Sequence, residues 1–265
     1  MAENRKFKPD YTRMKSTSEQ VDALQVRIFE TRQAMGAAAG NDITAKIKEL
    51  LAEKETLRVV FAAAPSQNEM LGFLADADGI DWSRIDVFHM DEYVGLPAGA
   101  KERFASFLTT RLFAKVSPRT VNLIDDSAGA EVACQRYNQL LKEGPIDIVC
   151  LGIGENGHLA FNDPPVADFN DPAIIKRVQL DDVCRQQQVN DGCFPTFDDV
   201  PREALTLTIP ALLSGNHLFC VVPGKTKRQA VRAMLTGPIT TGCPASILRQ
   251  HSACTLYVDR DAYGQ

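Results

Sequence analysis

The chain has 265 residues, 45% hydrophobic and 24% charged, with a formal net charge of −5. That is ordinary globular usage with material for one large core, and the acidic balance argues against a nucleic-acid partner. No apolar stretch reaches the 18 residues of a membrane span, and Met1-Ala-Glu-Asn-Arg5 opens no secretory signal pattern.

Residues 1–20 are polar and aperiodic. Thr17-Ser-Glu-Gln20 reads as the cap of a helix over roughly 19–38, and Ala37-Ala-Ala-Gly40-Asn41 as its end. Asp42–Lys54 reads as a second helix. Residues 1–55 are therefore expected to form a helical extension that packs on the domain or makes a subunit contact, which leaves a homo-oligomer open. Thr56–Phe61 is a strand, followed by the loop Ala62-Ala-Ala-Pro65-Ser66-Gln67 and a helix with Met70, Leu71 and Leu74 on one face. A strand is expected at 85–90, a helix through Phe104, Phe107 and Leu108, a short strand at 121–124 and a helix at 130–142. Ile146–Leu151 is an apolar strand that empties into a glycine-rich loop. Residues 163–203 form a long polar excursion containing the strand-like Ala173–Leu180, and a connection of that length inside a domain marks an active-site insertion or lid. Thr206–Leu213 is expected to start the next αβ unit. Leu218–Val222 is a buried strand, 227–235 a helix, Ala245–Leu248 a short helix and Thr255–Val258 the last strand. Strands alternating with helices predict one α/β domain: a doubly wound, mostly parallel sheet with helices on both faces, a Rossmann-like arrangement.

The seven cysteines have no C-x-x-C spacing and are odd in number. Buried free thiols in a reducing cytoplasm account for them better than disulfides or zinc.

Two strings stand at strand ends, where open α/β sheets bind ligands. The first is Met90-Asp91-Glu92-Tyr93-Val-Gly-Leu-Pro97. Adjacent strand side chains point to opposite faces, so at most one of Asp91 and Glu92 faces a given pocket. The second is Gly154-Glu-Asn156-Gly157-His158-Leu-Ala-Phe-Asn-Asp163-Pro164. A histidine among glycines in such a loop is placed to move protons near neutral pH.

These two strings, in this order, resemble the two signatures of the glucosamine-6-phosphate deaminase (isomerase) family, which shares its fold with the 6-phosphogluconolactonases. Gly224-Lys-Thr-Lys227 resembles a third, weaker one. The resemblance covers roughly residues 55–260. It implies conversion of glucosamine 6-phosphate to fructose 6-phosphate and ammonia, with no cofactor or metal and with a phosphosugar as partner. By the resemblance, Asp91 carries the proton between C2 and C1, and His158 is the ring-opening acid–base. Asp163 stands where the family usually has Glu, one methylene shorter, and is expected to hydrogen-bond the imidazole. Asn156 replaces the usual Asp, and it orients a histidine without ionising. Ser66, Gln67, Glu92, Gly157 and Lys227 fall on the substrate side, with Lys227 toward the phosphate. For Glu92 a structural hydrogen bond or a helix N-terminus is the alternative.

The phosphate loop departs most from the family. It lacks glycines, and Pro65 removes an N–H donor. The excursion's usual arginine has no clear match, since Arg185 is followed by Gln186-Gln-Gln188. A lactone hydrolase using His158 on water and a non-catalytic sugar-phosphate sensor remain as alternatives. Tyr93 in place of the lactonase arginine argues against the first, and Asp91 together with His158 against the second.

Overall fold

The computed structural model describes residues 16–265. The chain opens with β1 (Ser16–Val21) and β2 (Leu24–Phe29), then α1 (Arg32–Glu53), β3 (Leu57–Phe61) and α2 (Asn68–Asp76). β4 (Ile85–His89) and β5 (Asp91–Tyr93) follow, then α3 (Phe104–Leu108), a π turn and α4 (Ala114–Val116). β6 (Thr120–Asn122), α5 (Ala130–Lys142) and β7 (Ile148–Leu151) complete the first half. The second half holds β8 (Ile175–Gln179), α6 (Asp182–Asn190), β9 (Glu203–Leu207), α7 (Ile209–Leu213), β10 (His217–Val222), α8 (Arg228–Thr236), β11 (Cys254–Asp259) and α9 (Arg260–Tyr263).

Eight strands form the main sheet in the order β1-β2-β11-β10-β7-β3-β4-β6. Every pair is parallel except β1 with β2. Apolar cores cover both faces, so the central strands are buried on both sides. β4 and β7 have no exposed residue, as parallel strands between helix layers require. The chain runs outward through β3, β4 and β6, then returns to place β7 on the other side of β3. The switch point therefore lies between β3 and β7, and the crevice outside their carboxyl ends is the natural place for a ligand.

The N-terminal expectation is corrected. Residues 16–29 form a β-hairpin on the sheet edge, with Asp22 left-handed at φ 53° in its turn. Leu24, Val26 and Ile28 are buried and alternate with Gln25 and Arg27, a period of two rather than 3.6. α1 then runs unbroken through Gly40-Asn41. Those glycines are close-approach points, not stops: a Cβ on Gly36 would lie 2.3 Å from Glu69 Cβ, and one on Gly40 2.7 Å from Phe73. Residues 1–15, the rest of the expected extension, lie outside the described residues.

A second correction concerns 203–213. β9 does not enter the main sheet; it pairs antiparallel with β5 and with β8 in a separate three-stranded sheet. The chain crosses between the sheets at Met90, whose carbonyl accepts from Leu207 N at 2.8 Å. Asp91 is thus the first residue beyond the seam. Among the described residues no helix is long and apolar enough to cross a membrane.

Candidate active site

A cavity of about 60 Å³ lies at the switch point. The loops after β3 and β7 supply Ser66, Gln67, Ile153 and His158, and β5 supplies Asp91. Gln187, Gln188 and Asp191 come from α6 and its end, and Lys227 from the turn before α8. At about 10–15 Å³ per water in this measure, the cavity holds roughly five waters.

His158 sits at the centre of a buried relay. Its Nδ1 lies 2.8 Å from Asn156 Oδ1 and 2.9 Å from Asp163 Oδ1. Asn156 Oδ1 also accepts from His158 N at 3.0 Å, while its Nδ2 donates to Asp163 Oδ1 at 3.0 Å. Two acceptors around Nδ1 assign the ring proton there, which leaves Nε2 as the nitrogen for substrate. Burial would raise the Asp163 carboxyl, but the His158 charge and hydrogen bond, then Asn156 and Cys184, hold it below the ordinary carboxylate range. The shorter Asp163 therefore does reach the imidazole. Gly154 makes the ring's position available, because a Cβ there would lie 2.1 Å from the imidazole.

Asp91 is 7% exposed and lines the cavity. Burial, then Glu92 and Asp163, push its carboxyl well above the ordinary value. A carboxylate so placed is a stronger base than a solvated one.

Glu92 is not on the cavity wall. Its oxygens accept from Tyr93 N at 2.9 Å, Phe104 N at 3.1 Å and Ala105 N at 3.0 Å. It caps the entry to α3, with Arg103 at 3.7 Å. The substrate role for Glu92 is corrected to the structural alternative, as strand alternation anticipated. Gly157 likewise does not line the cavity; it turns the loop at φ 81° against Cys243.

Ser66 Oγ accepts from Gln67 Nε2 at 3.0 Å, so its own hydrogen is available to a ligand. Gln67 Nε2 also donates to Val221 O at 3.0 Å, and Gln67 Oε1 is buried without a hydrogen-bond partner. Lys227 is 5% exposed; burial lowers its pKa, against Asp191 and Glu155, which raise it.

Arg185 points away from the cavity. It donates to Phe197 O and Val200 O at 3.0 Å and stacks 4.0 Å over the Phe197 ring. It holds the excursion together and does not line the cavity. The residues that sequence reasoning missed are Gln187, Gln188 and Asp191. With Cys184 they follow helical spacing i, i+3, i+4, i+7, which puts all four on one face of α6. That period was the available signal, hidden because this helix's buried face is mostly polar. Tyr93 OH donates to Gln188 Oε1 at 2.8 Å, leaving that amide's N–H groups as donors. Glu155 N donates to Gln187 Oε1 at 2.7 Å. Tyr93 packs against Phe104, Phe161 and Phe194 with centroids 4.8–5.4 Å apart, which anchors the excursion on the site.

His158, Asp163 and Cys184 bring potential metal ligands within 4.8 Å of one another. The 2.9 Å between Nδ1 and Oδ1 is an ordinary hydrogen-bond length.

The family described as glucosamine-6-phosphate isomerases/6-phosphogluconolactonase matches residues 30–257. Glucosamine-6-phosphate deaminase 1 of Giardia intestinalis is 35% identical over 193 residues, 70% of this chain and 70% of that one. The glucosamine-6-phosphate deaminase of Bacillus thuringiensis (strain Al Hakam) is 33% identical over 219 residues, 82% of this chain and 80% of its own. A monomeric glucosamine-6-phosphate deaminase of known structure superposes with a TM-score of 0.82 at 29% identity, covering 90% of this chain and 98% of that one. A 6-phosphogluconolactonase from Thermotoga maritima, at TM-score 0.73 and 22% identity over 88% of this chain and 98% of its own, shares the fold.

Proposed function

The chain belongs to the glucosamine-6-phosphate isomerase/6-phosphogluconolactonase family, and from that premise we propose that it converts glucosamine 6-phosphate to fructose 6-phosphate and ammonia. The observation that carries the reading is that Asp91 and His158 line one cavity. A single proton transfer to water or lactone needs one such group, whereas ring opening followed by an aldose–ketose shift needs two.

His158 Nε2 takes the proton of the C1 hydroxyl and returns one to the ring oxygen, which opens the sugar. Asp163 and Asn156 hold the imidazole through Nδ1 and favour its transient charge. Asp91, as carboxylate, removes the C2 proton while O1 gains one, giving an enol-amine. It then delivers the proton to C1, which leaves a C2 imine. Water adds at C2 and ammonia leaves, giving the ketone. The raised Asp91 carboxyl suits both halves of the transfer: it is basic enough to take the proton and acidic enough to return it.

At the other end of the cavity, the Lys227 ammonium, the Ser66 hydroxyl and the Gln188 amide offer donors to the phosphate. Lys227 and Ser66 are groups the resemblance implies there, and the neutral Gln188 amide adds a donor in a cavity whose wall holds no arginine. The cavity is walled on one side by Gln187, Gln188 and Asp191 of α6 and its end. The reading includes a cytoplasmic setting, supported by seven free thiols.

The test is ammonia release from glucosamine 6-phosphate, coupled to detection of fructose 6-phosphate. Both products, lost together in Asp91→Asn, are expected. Hydrolysis of 6-phosphogluconolactone without ammonia release would replace this reading with the lactonase one. Thermal stabilisation by a sugar phosphate without turnover would replace it with a sensor.

A further inference from the structure

Asp163 carries the one negative charge in contact with the imidazole, because its neighbour is Asn156 rather than a second acid. Its Oδ1 takes both nitrogen donors. Its Oδ2 is buried and has no hydrogen-bond partner of ordinary geometry. A buried carboxylate oxygen without a donor is costly. The side chain standing beside it is Cys184, fully buried on the inner face of α6, with Sγ within 4.8 Å of an Asp163 carboxylate oxygen and of a ring nitrogen of His158.

We propose that Cys184 is a positioning residue of the proton relay: its thiol is the donor that faces the free side of the Asp163 carboxylate and steadies it against His158. The inference rests on the reading of His158 as the ring-opening acid–base. Cys184 is suited to the part because it stays a thiol. Burial, then the Asp163 and Asp91 carboxylates, push its ionisation well upward, so the S–H is retained as a donor. The contact is looser than the two nitrogen bonds, and a thiol is a weak donor. Its contribution is therefore an adjustment of the relay, not its foundation.

The consequence is mechanical as well as electrostatic. The face of α6 that brings Gln187, Gln188 and Asp191 to the cavity also brings Cys184 to the relay. Seating the excursion over the substrate and completing the donor set of Asp163 are then one event.

The experiment uses Cys184→Ala and Cys184→Ser in the full chain. One readout is the split between kcat and KM with glucosamine 6-phosphate. Loosening the carboxylate that holds the imidazole lowers kcat by about threefold in Cys184→Ala with KM little changed. Cys184→Ser, which keeps a donor, stays near wild type. The second readout needs no turnover: the downfield proton resonance of the His158 Nδ1–H, assigned by its loss in His158→Gln. It broadens or moves upfield in Cys184→Ala and persists in Cys184→Ser. Unchanged kcat and resonance in Cys184→Ala overturn the proposal. Equal disturbance by both variants overturns it too, since that marks packing rather than donation. A wild-type protein without deaminase activity would remove the functional reading alone, and the resonance would still decide the role of Cys184.

Discussion

The parallel scaffold and the antiparallel flap divide the labour of this site unequally. The scaffold's crossover loop after β7 holds His158, Asn156 and Asp163 in a closed hydrogen-bond set fixed within ten residues of chain. The flap, β5-β9-β8 with α6, reaches the cavity by side chains that depend on long-range packing. Chemistry needs sub-ångström constancy and is built where the backbone is buried on both sides. The flap adds Gln187, Gln188 and Asp191 to the cavity wall, while Ser66 and Lys227 reach it from the scaffold. Asp91 sits where the two meet.

That contrast is sharpened first by Asp91→Asn. We expect about a thousandfold loss of kcat, within the range for removing a general base, measured by ammonia release. The same variant should be more stable than wild type near pH 7. The folded carboxyl of Asp91 is raised above its unfolded value of about 4, so ionising it costs more in the native state than in the unfolded chain. Stability from this group is present at low pH and falls as pH climbs from that value toward the folded one. A melting temperature that drops at pH 7, or that rises equally at pH 4, would contradict the burial argument.

His158→Gln comes next, at about a hundredfold, and should slow the closed sugar more than an open-chain analogue. Equal losses on both substrates would end the ring-opening assignment. Lys227→Ala should raise KM by about ten- to a hundredfold with kcat little changed, the worth of a charged hydrogen bond. Steady-state kinetics with the KM unmoved would take Lys227 out of the phosphate site. On the flap, Gln188→Leu should raise KM by only about three- to tenfold, the worth of a neutral one. An effect as large as that of Lys227→Ala would break the proposed division between scaffold and flap.

The smallest effect on turnover is expected from Glu92→Gln. It keeps the side chain's length but weakens its grip on three backbone N–H groups and Arg103. Denaturant unfolding should show a loss of about 1.5–3 kcal/mol, with kcat within about twofold. A kcat loss comparable with that of Asp91→Asn would return Glu92 to the chemistry.

Legibility followed the same division. Strands 57–61, 85–89, 148–151, 217–222 and 254–259 stand out as short apolar runs because both their faces are buried. Asp91, His158 and Asp163 stand out because their strings are local. The hairpin at 16–29 was misjudged because one buried face gives a two-residue alternation over only six residues, weak beside the helix-favouring composition around it. The break expected at Gly40 failed because the helix–helix approach that requires glycine there is a tertiary fact. Glu92 stood beside Asp91 in the same motif, and the pleat of the strand decided between them.

The order of the strands was not written in any window of residues, yet it places the loops after β3 and β7 on opposite sides of one crevice. The sequence by itself determined the class of fold and marked Asp91, His158 and Asp163 as candidates, because hydrophobic periodicity and short-range hydrogen bonding are properties of neighbours in the chain. The tertiary structure alone decided that β9 leaves the main sheet, that Arg185 bonds within the flap and does not line the cavity, and that Gln187, Gln188, Asp191 and Cys184 share the face turned to the site. Each of those depends on pairing between segments far apart in sequence, where the closing of long loops and the packing of distant side chains set the outcome.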